Sequence, residues 1–204
     1  MESEAKGRNR ARTQETILAA ARQLLAEQGF PAWGVNAIAR AAGCDKQLIY
    51  RYFGGVDGLA AAIGEEMTAW LDTALAPRPD APSSASYADL MARLATEYLE
   101  ALRANRLAQR ILAWEVAEDA PLPQSFATAR DKAITAWIHR ERGNLMPREG
   151  VDGTAANAVL IAGVQHLVLA GAASGRFSGL RLNSDRAWER IRTAVEAIAL
   201  AAYR

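Results

Sequence analysis

One cysteine, Cys44, stands in 204 residues, so no disulfide within the chain is available. Two histidines, His139 and His166, are too few to complete a zinc site with it. No charge of one sign dominates: 24 Lys/Arg face 23 Asp/Glu, for a formal net charge of +1, which by itself points to no nucleic acid. Val/Ile/Thr-rich segments of period two are missing, which leaves an all-α fold. There is no Gly-rich phosphate loop, no HExxH, no Gly-x-Ser-x-Gly and no acidic cluster at metal spacing. Neither enzymatic activity nor a cofactor or metal is therefore expected. The first residues lack the apolar centre of a signal peptide. The longest apolar stretch, 155–173, is broken by Asn157, Gln165 and His166, so a cytoplasmic protein without a membrane span is expected.

What is present is helix periodicity. Residues 1–12 carry Lys6, Arg8, Arg10 and Arg12 and read as a basic flexible arm. A first helix over 13–28 has the stripe Ile17, Leu18, Ala21, Leu24 and Leu25, and Gly29 ends it. The segment 35–53, VNAIARAAGCDKQLIYRYF, then reads as helix, tight turn at Gly43, helix. Ala37, Ile38, Ala41 and Ala42 give the first of these helices a small apolar inner face, and Asp45 caps the second. Ile49 and Phe53 lie four apart and face inward, while Lys46, Gln47, Tyr50 and Arg51 face outward. Gly54 and Gly55 break the chain before a fourth helix from Asp57 to about residue 75. Residues 76–86, APRPDAPSSAS, read as a linker. Further helices are expected over 86–104, 105–118, 123–142, 154–173 and 184–203, the last capped by Ser184. Loops fill 143–153 and 175–183. The count is about nine helices, with a helix-turn-helix domain over 13–56 and a helical regulatory and dimerisation domain over 57–204.

Residues 13–60 resemble the DNA-binding domain of the TetR family of transcriptional regulators. Ile38-Ala39, Ala42-Gly43, Asp45 and Ile49-Tyr50-Arg51-Tyr52-Phe53 match the family pattern in order and spacing. The resemblance implies a homodimer whose two reading helices enter successive major grooves of a near-palindromic double-stranded operator. It also implies a small-molecule pocket in the helical body and release of the operator when that pocket fills. Lys46 and Gln47 sit in the first turn of the reading helix, where they reach base edges or remain solvated. Leu48 either touches a thymine methyl or packs on the first helix. Tyr50 matches the family tyrosine and is assigned a phosphate or base contact. Arg51 and Tyr52 are phosphate contacts that set register. Asn36 faces the same side, and Arg40 is a phosphate contact or an ordinary surface charge. Two positions depart from the family: Trp33-Gly34 stand where a threonine usually caps the second helix, and Val56 where a lysine usually meets phosphate. Backbone N–H groups at 56–58 offer phosphate a substitute.

The body is less specific. Tyr98, Trp114, Glu115, Phe126, Trp137, Gln165 and His166 form an aromatic set with polar handles that suits either a ligand pocket or a core. His166 on a mostly apolar helix suits a buried, hydrogen-bonded histidine. Small residues along 155–171 suit a close helix interface, between copies or within one chain. The stripe Trp188, Ile191, Val195 and Ile198 on the last helix is expected to bury the partner side. Cys44 packs as a small hydrophobe. The alternative is an all-α small-molecule-binding protein or enzyme without DNA activity.

Overall fold

The computed structural model describes residues 2–76, 84–118 and 121–203. Among these are nine α-helices, one 3-10 turn and a ribbon of two short strands. The chain divides into two compact units: Met1–Trp70 with Arg110–Asp131, and Leu71–Gln109 with Lys132–Arg204. Most of the expected linker at 76–86, and the first residues of the expected break at 119–123, lie outside the described residues.

The first unit holds α1 (Glu2–Gln28), the 3-10 turn Phe30–Ala32, α2 (Val35–Ala42), α3 (Lys46–Phe53) and most of α4 (Val56–Ala74). The end of α6 (Arg106–Ala117) and the start of α7 (Pro121–Arg142) complete it. Helix α1 begins at Glu2, so residues 2–12 are helical and not a flexible arm. The run is rich in Glu, Ala, Lys and Arg, all good helix formers, and extends an already nucleated helix. Ile17, Ala21 and Leu25 of α1, Ile38 of α2, Ile49 of α3, and Leu59 and Ile63 of α4 are all fully buried. Trp33, in the family's threonine position, is 5% exposed, and its indole N–H donates to the Ala21 carbonyl at 2.9 Å. It pins the turn after α1 back onto α1. Arg22 of α1 donates from Nη1 to both carboxylate oxygens of Glu66 of α4, at 2.8 and 2.9 Å, and from Nη2 to Glu15.

The second unit is organised around α5 (Tyr87–Ala104), which packs on α8 (Gly153–Ser174) and α9 (Asp185–Tyr203). Ser86 starts α5 by accepting from the Asp89 N–H at 3.1 Å, and Asp152 caps α8 by accepting from Ala155 N–H at 3.0 Å. Leu90, Met91, Leu94, Ala95, Tyr98, Leu99 and Leu102 of α5 are all at most 1% exposed. Tyr203 of α9 donates to Asn157 of α8 at 2.6 Å, and Asn157 donates to Tyr87 of α5 at 2.9 Å. Burial, and then the neighbouring Tyr87, push the Tyr203 phenol pKa well above its ordinary value. The expected loop at 175–183 contains an antiparallel ribbon, β1 (Arg176–Phe177) and β2 (Leu180–Arg181).

One expectation about the last helices changes. Trp188, Ile191 and Val195 are buried within the protomer, at 8%, 5% and 5% exposure, because that face of α9 packs on α5. Only Ile198 of the expected stripe is open, at 61%. Helix α8 is long and apolar enough to cross a membrane by length and composition only, a test that core helices also pass. Its interrupting Asn157 and Gln165 are hydrogen-bonded to tyrosines of α5 and α9. Its remaining small and apolar residues border an open groove of about 500 Å³ with α9, lined by Ala155, Val159, Gly163, Leu167, Ile198 and Ala202 among others.

Candidate nucleic-acid interface

The turn between α2 and α3 is built as expected. Gly43 is left-handed (φ 62°, ψ 34°), and its N–H returns to the carbonyls that end α2. Asp45 Oδ1 then accepts from the Gln47 N–H at 2.7 Å and fixes where α3 begins. Gly34 starts α2 with no side-chain cap. The inner face of α2 differs in detail: Ile38 and Ala39 are the buried pair, and Ala41 is exposed. On α3 Ile49 is fully buried and Phe53 half-buried, which anchors the helix and fixes its outward side.

That outward side holds Lys46, Gln47, Tyr50 and Arg51, all exposed, with Tyr50 57% open. A tyrosine so exposed contributes little to the core, and its hydroxyl is free to meet another molecule. Leu48 is half-buried, which favours packing over a fully offered methyl. On α2, Asn36 and Arg40 are exposed and lie four apart on one face. Tyr52 is half-buried between two guanidinium groups: Arg10 lies 5.6 Å and Arg51 5.7 Å from its ring centroid. The ring therefore orients two arginines by cation–π contact. Arg10 was read as part of the arm. Nothing in the sequence marks its meeting with Tyr52, which requires α1 to run straight through residues 2–12.

Helix α4 opens at Val56, after Gly54 and Gly55, both at positive φ. At Gly58 a Cβ would stand 1.5 Å from the Phe53 carbonyl oxygen, so only glycine lets α4 close against the end of α3. The first N–H groups of α4 thus lie beside the reading helix, with no side chain at Gly58 between. Cys44 is half-buried in the turn, and burial, then the Asp45 charge, push its thiol pKa up. A raised thiol pKa lowers the thiolate fraction, which accords with a packing residue.

The seven ligand candidates are divided between the two units. Trp114, Glu115 and Phe126 belong to the first unit, and Tyr98, Trp137, Gln165 and His166 to the second. Phe126 packs on Phe30 with ring centroids 5.6 Å apart, and Trp114 lies against Gly29. Glu115, with a side chain only 4% exposed, is paired with Arg130 rather than offered to a ligand. In the second unit Gln165 donates to the Tyr98 hydroxyl at 2.9 Å. Trp137 is 2% exposed. His166 is exposed, not buried, with its ring edge-on to Phe177 at 4.8 Å, because its position on α8 faces the ribbon.

Comparison with known proteins accords with this geometry. The pattern of the bacterial regulatory proteins of the tetR family matches residues 17–63, from the buried Ile17 of α1 to Ile63 of α4. No curated protein sequence matches the chain. Among solved structures, the chain is similar to the fatty acid degradation regulator FadR from Bacillus halodurans. The TM-score is 0.64 at 18% identity, over 94% of this chain and 96% of that one. It is similar to GusR from Salmonella enterica at TM-score 0.64 and 19% identity, over 94% and 95%. It is also similar to SmeT, solved in complex with triclosan, at TM-score 0.59 and 19% identity, over 89% and 90%. Residues 17–63, which hold the capped reading helix, thus match the tetR family of bacterial regulatory proteins, and the chain as a whole has the helical fold of these solved structures.

Proposed function

We propose that this DNA-binding regulator is a repressor released from a near-palindromic operator by a small molecule. The observation that carries it is the outward face of α3, where Lys46, Gln47, Tyr50 and Arg51 are exposed over a fully buried Ile49. In this reading Gln47 and Lys46 meet base edges, and Tyr50 meets a phosphate or base. Arg51, Arg10 and Tyr52 fix register on the backbone, joined by Asn36, Arg40 and the N–H groups that open α4.

The active form is a homodimer through α8 and α9. Support comes from the apolar groove between them, which the protomer leaves open. Two reading helices then stand about 34–36 Å apart on the operator. The effector binds the DNA-incompetent state more tightly and shifts α4, so the spacing and the affinity are lost together. Trp114 of α6 and Phe126 of α7 grip the turn after α1 and supply a second handle on the head. That a similar structure, SmeT, was solved with triclosan supports a small-molecule effector of some kind here. A protein acting on DNA in this way works in the bacterial cytoplasm.

Selection of bound fragments from genomic DNA, followed by gel retardation with the recovered site, tests this. Tyr50→Ala is expected to lower operator affinity at least tenfold while the dimer persists in light scattering. Absence of any specific retardation would favour the alternative, an all-α small-molecule-binding protein or enzyme without DNA activity.

A further inference from the structure

Among the described residues, the second unit buries two hydrogen-bond donors that have no acceptor. Trp137 of α7 is 2% exposed, and its indole N–H meets no partner. The Nε of Arg93 on α5 is in the same condition. The other two guanidinium nitrogens of Arg93 are engaged, one by Glu97 at 3.2 Å and one by Glu141 of α7 at 3.3 Å. Glu141 follows Trp137 by four residues, so the two share a face of α7 one turn apart. The Arg93–Glu141 bond therefore puts the Arg93 donor beside the turn of α7 that follows Trp137. Roughly nine in ten buried polar groups in native proteins find a partner, in the protein or in ordered water, so these two donors mark a place where an acceptor from outside the chain can bind.

The surroundings restrict what that acceptor is. Glu97 and Glu141 have side chains only 14% and 8% exposed; both pair with Arg93, and Glu141 also with Arg140 at 3.5 Å. The two guanidinium charges are thus already matched by two carboxylates, and an anion finds no free cation here. A cation has no use for orphan donors. The same stretches of the two helices contribute Leu90, Leu94, Ile134 and Ile138, all buried and apolar. Resting on the effector reading above, we infer that the effector is a neutral, largely apolar molecule with a carbonyl- or ether-type oxygen that accepts the N–H of Trp137.

Three probes of one shape separate the possibilities: acetophenone, ethylbenzene and benzoate. The readout is the indole N–H cross-peak of Trp137 in protein labelled with 15N-tryptophan, identified by its absence in Trp137→Phe. Acetophenone is expected to move that peak and to bind about five- to tenfold more tightly than ethylbenzene, the gain of one hydrogen bond. Benzoate is expected to bind more weakly than either. Trp137→Phe is expected to erase the preference of ketone over hydrocarbon while leaving hydrocarbon affinity in place. A Trp137 peak unmoved by acetophenone, equal affinity for ketone and hydrocarbon, or tightest binding by benzoate overturns the inference, and the wild-type titration decides even if the variant does not fold. Operator release is scored separately in gel retardation. A moved peak with DNA still bound supports the site and sinks the effector reading. Release by a charged compound that leaves the Trp137 peak unchanged overturns the ligand class and leaves the effector reading intact.

Discussion

Replacing Gly29 by alanine isolates the grip of α6 on the end of α1. Gly29 has φ 76° and ψ −173°, a conformation reached almost only by glycine. Forcing a side-chain-bearing residue into such a region costs on the order of 1–3 kcal/mol. Space adds a second cost, since the new Cβ would stand 2.2, 2.5 and 2.5 Å from three carbons of the Trp114 indole. The contact is with the face of a rigid ring, so the indole as a whole must move, an overpacking cost of about 1–3 kcal/mol. The two together give about 4 kcal/mol, a large share of the 5–15 kcal/mol typical of a folded domain. The assay is denaturant unfolding at fixed protomer concentration, because a dimer's midpoint depends on it. Trp114→Ala removes only the steric part, so the double variant should be less destabilised than the sum of the singles by about 1–3 kcal/mol. A loss for Gly29→Ala below about 0.5 kcal/mol, the level of an ordinary surface change, would refute the strain argument. Strict additivity would refute the contact.

Arg10→Ala should weaken operator binding in a salt-dependent way, flattening the plot of log affinity against log salt by about one unit per lost phosphate contact. An unchanged slope would mean that Arg10 only packs on Tyr52. Ile198→Glu, on the open groove of α8 and α9, should give folded monomers by light scattering with near-native helix content. Val195→Glu should instead unfold the protein, because Val195 is 5% exposed within one protomer. The reverse pattern would move the interface elsewhere. Cys44 should react with iodoacetamide at pH 8 more slowly than a free cysteine, because its thiol pKa is raised. With a folded pKa above the unfolded one, its contribution to stability is complete below about pH 8.5 and is lost as pH rises through the folded value. Labelling as fast as free cysteine would contradict the burial.

The head was legible because its constraints are local. Gly43 must turn left-handed, Asp45 must cap and Ile49 must point inward, and each of these is decided within a few residues. Where the same segment depends on distant chain, the sequence was silent. The stacking of Arg10 on Tyr52 and the bond from Trp33 to Ala21 both follow from how helices dock. Residues 2–12 are helical for a related reason. Polar composition argues for disorder in an isolated segment, but here it prolongs a helix whose nucleus has already formed.

The body was less legible because a helical period names a face without naming what covers it. The stripe on α9 is apolar as expected, yet α5 of the same protomer covers Trp188, Ile191 and Val195 and leaves Ile198 outside. Polar residues on apolar helices carry the same ambiguity. Gln165 and Asn157 are spoken for by Tyr98, Tyr87 and Tyr203, and Glu115 by Arg130, so none of them is a free handle for a ligand. The buried donors that do lack a partner, on Trp137 and Arg93, look in sequence like any core tryptophan and any surface arginine. A ligand site in an all-α body is therefore recognised by unmet hydrogen bonds among packed helices, which no residue spacing encodes.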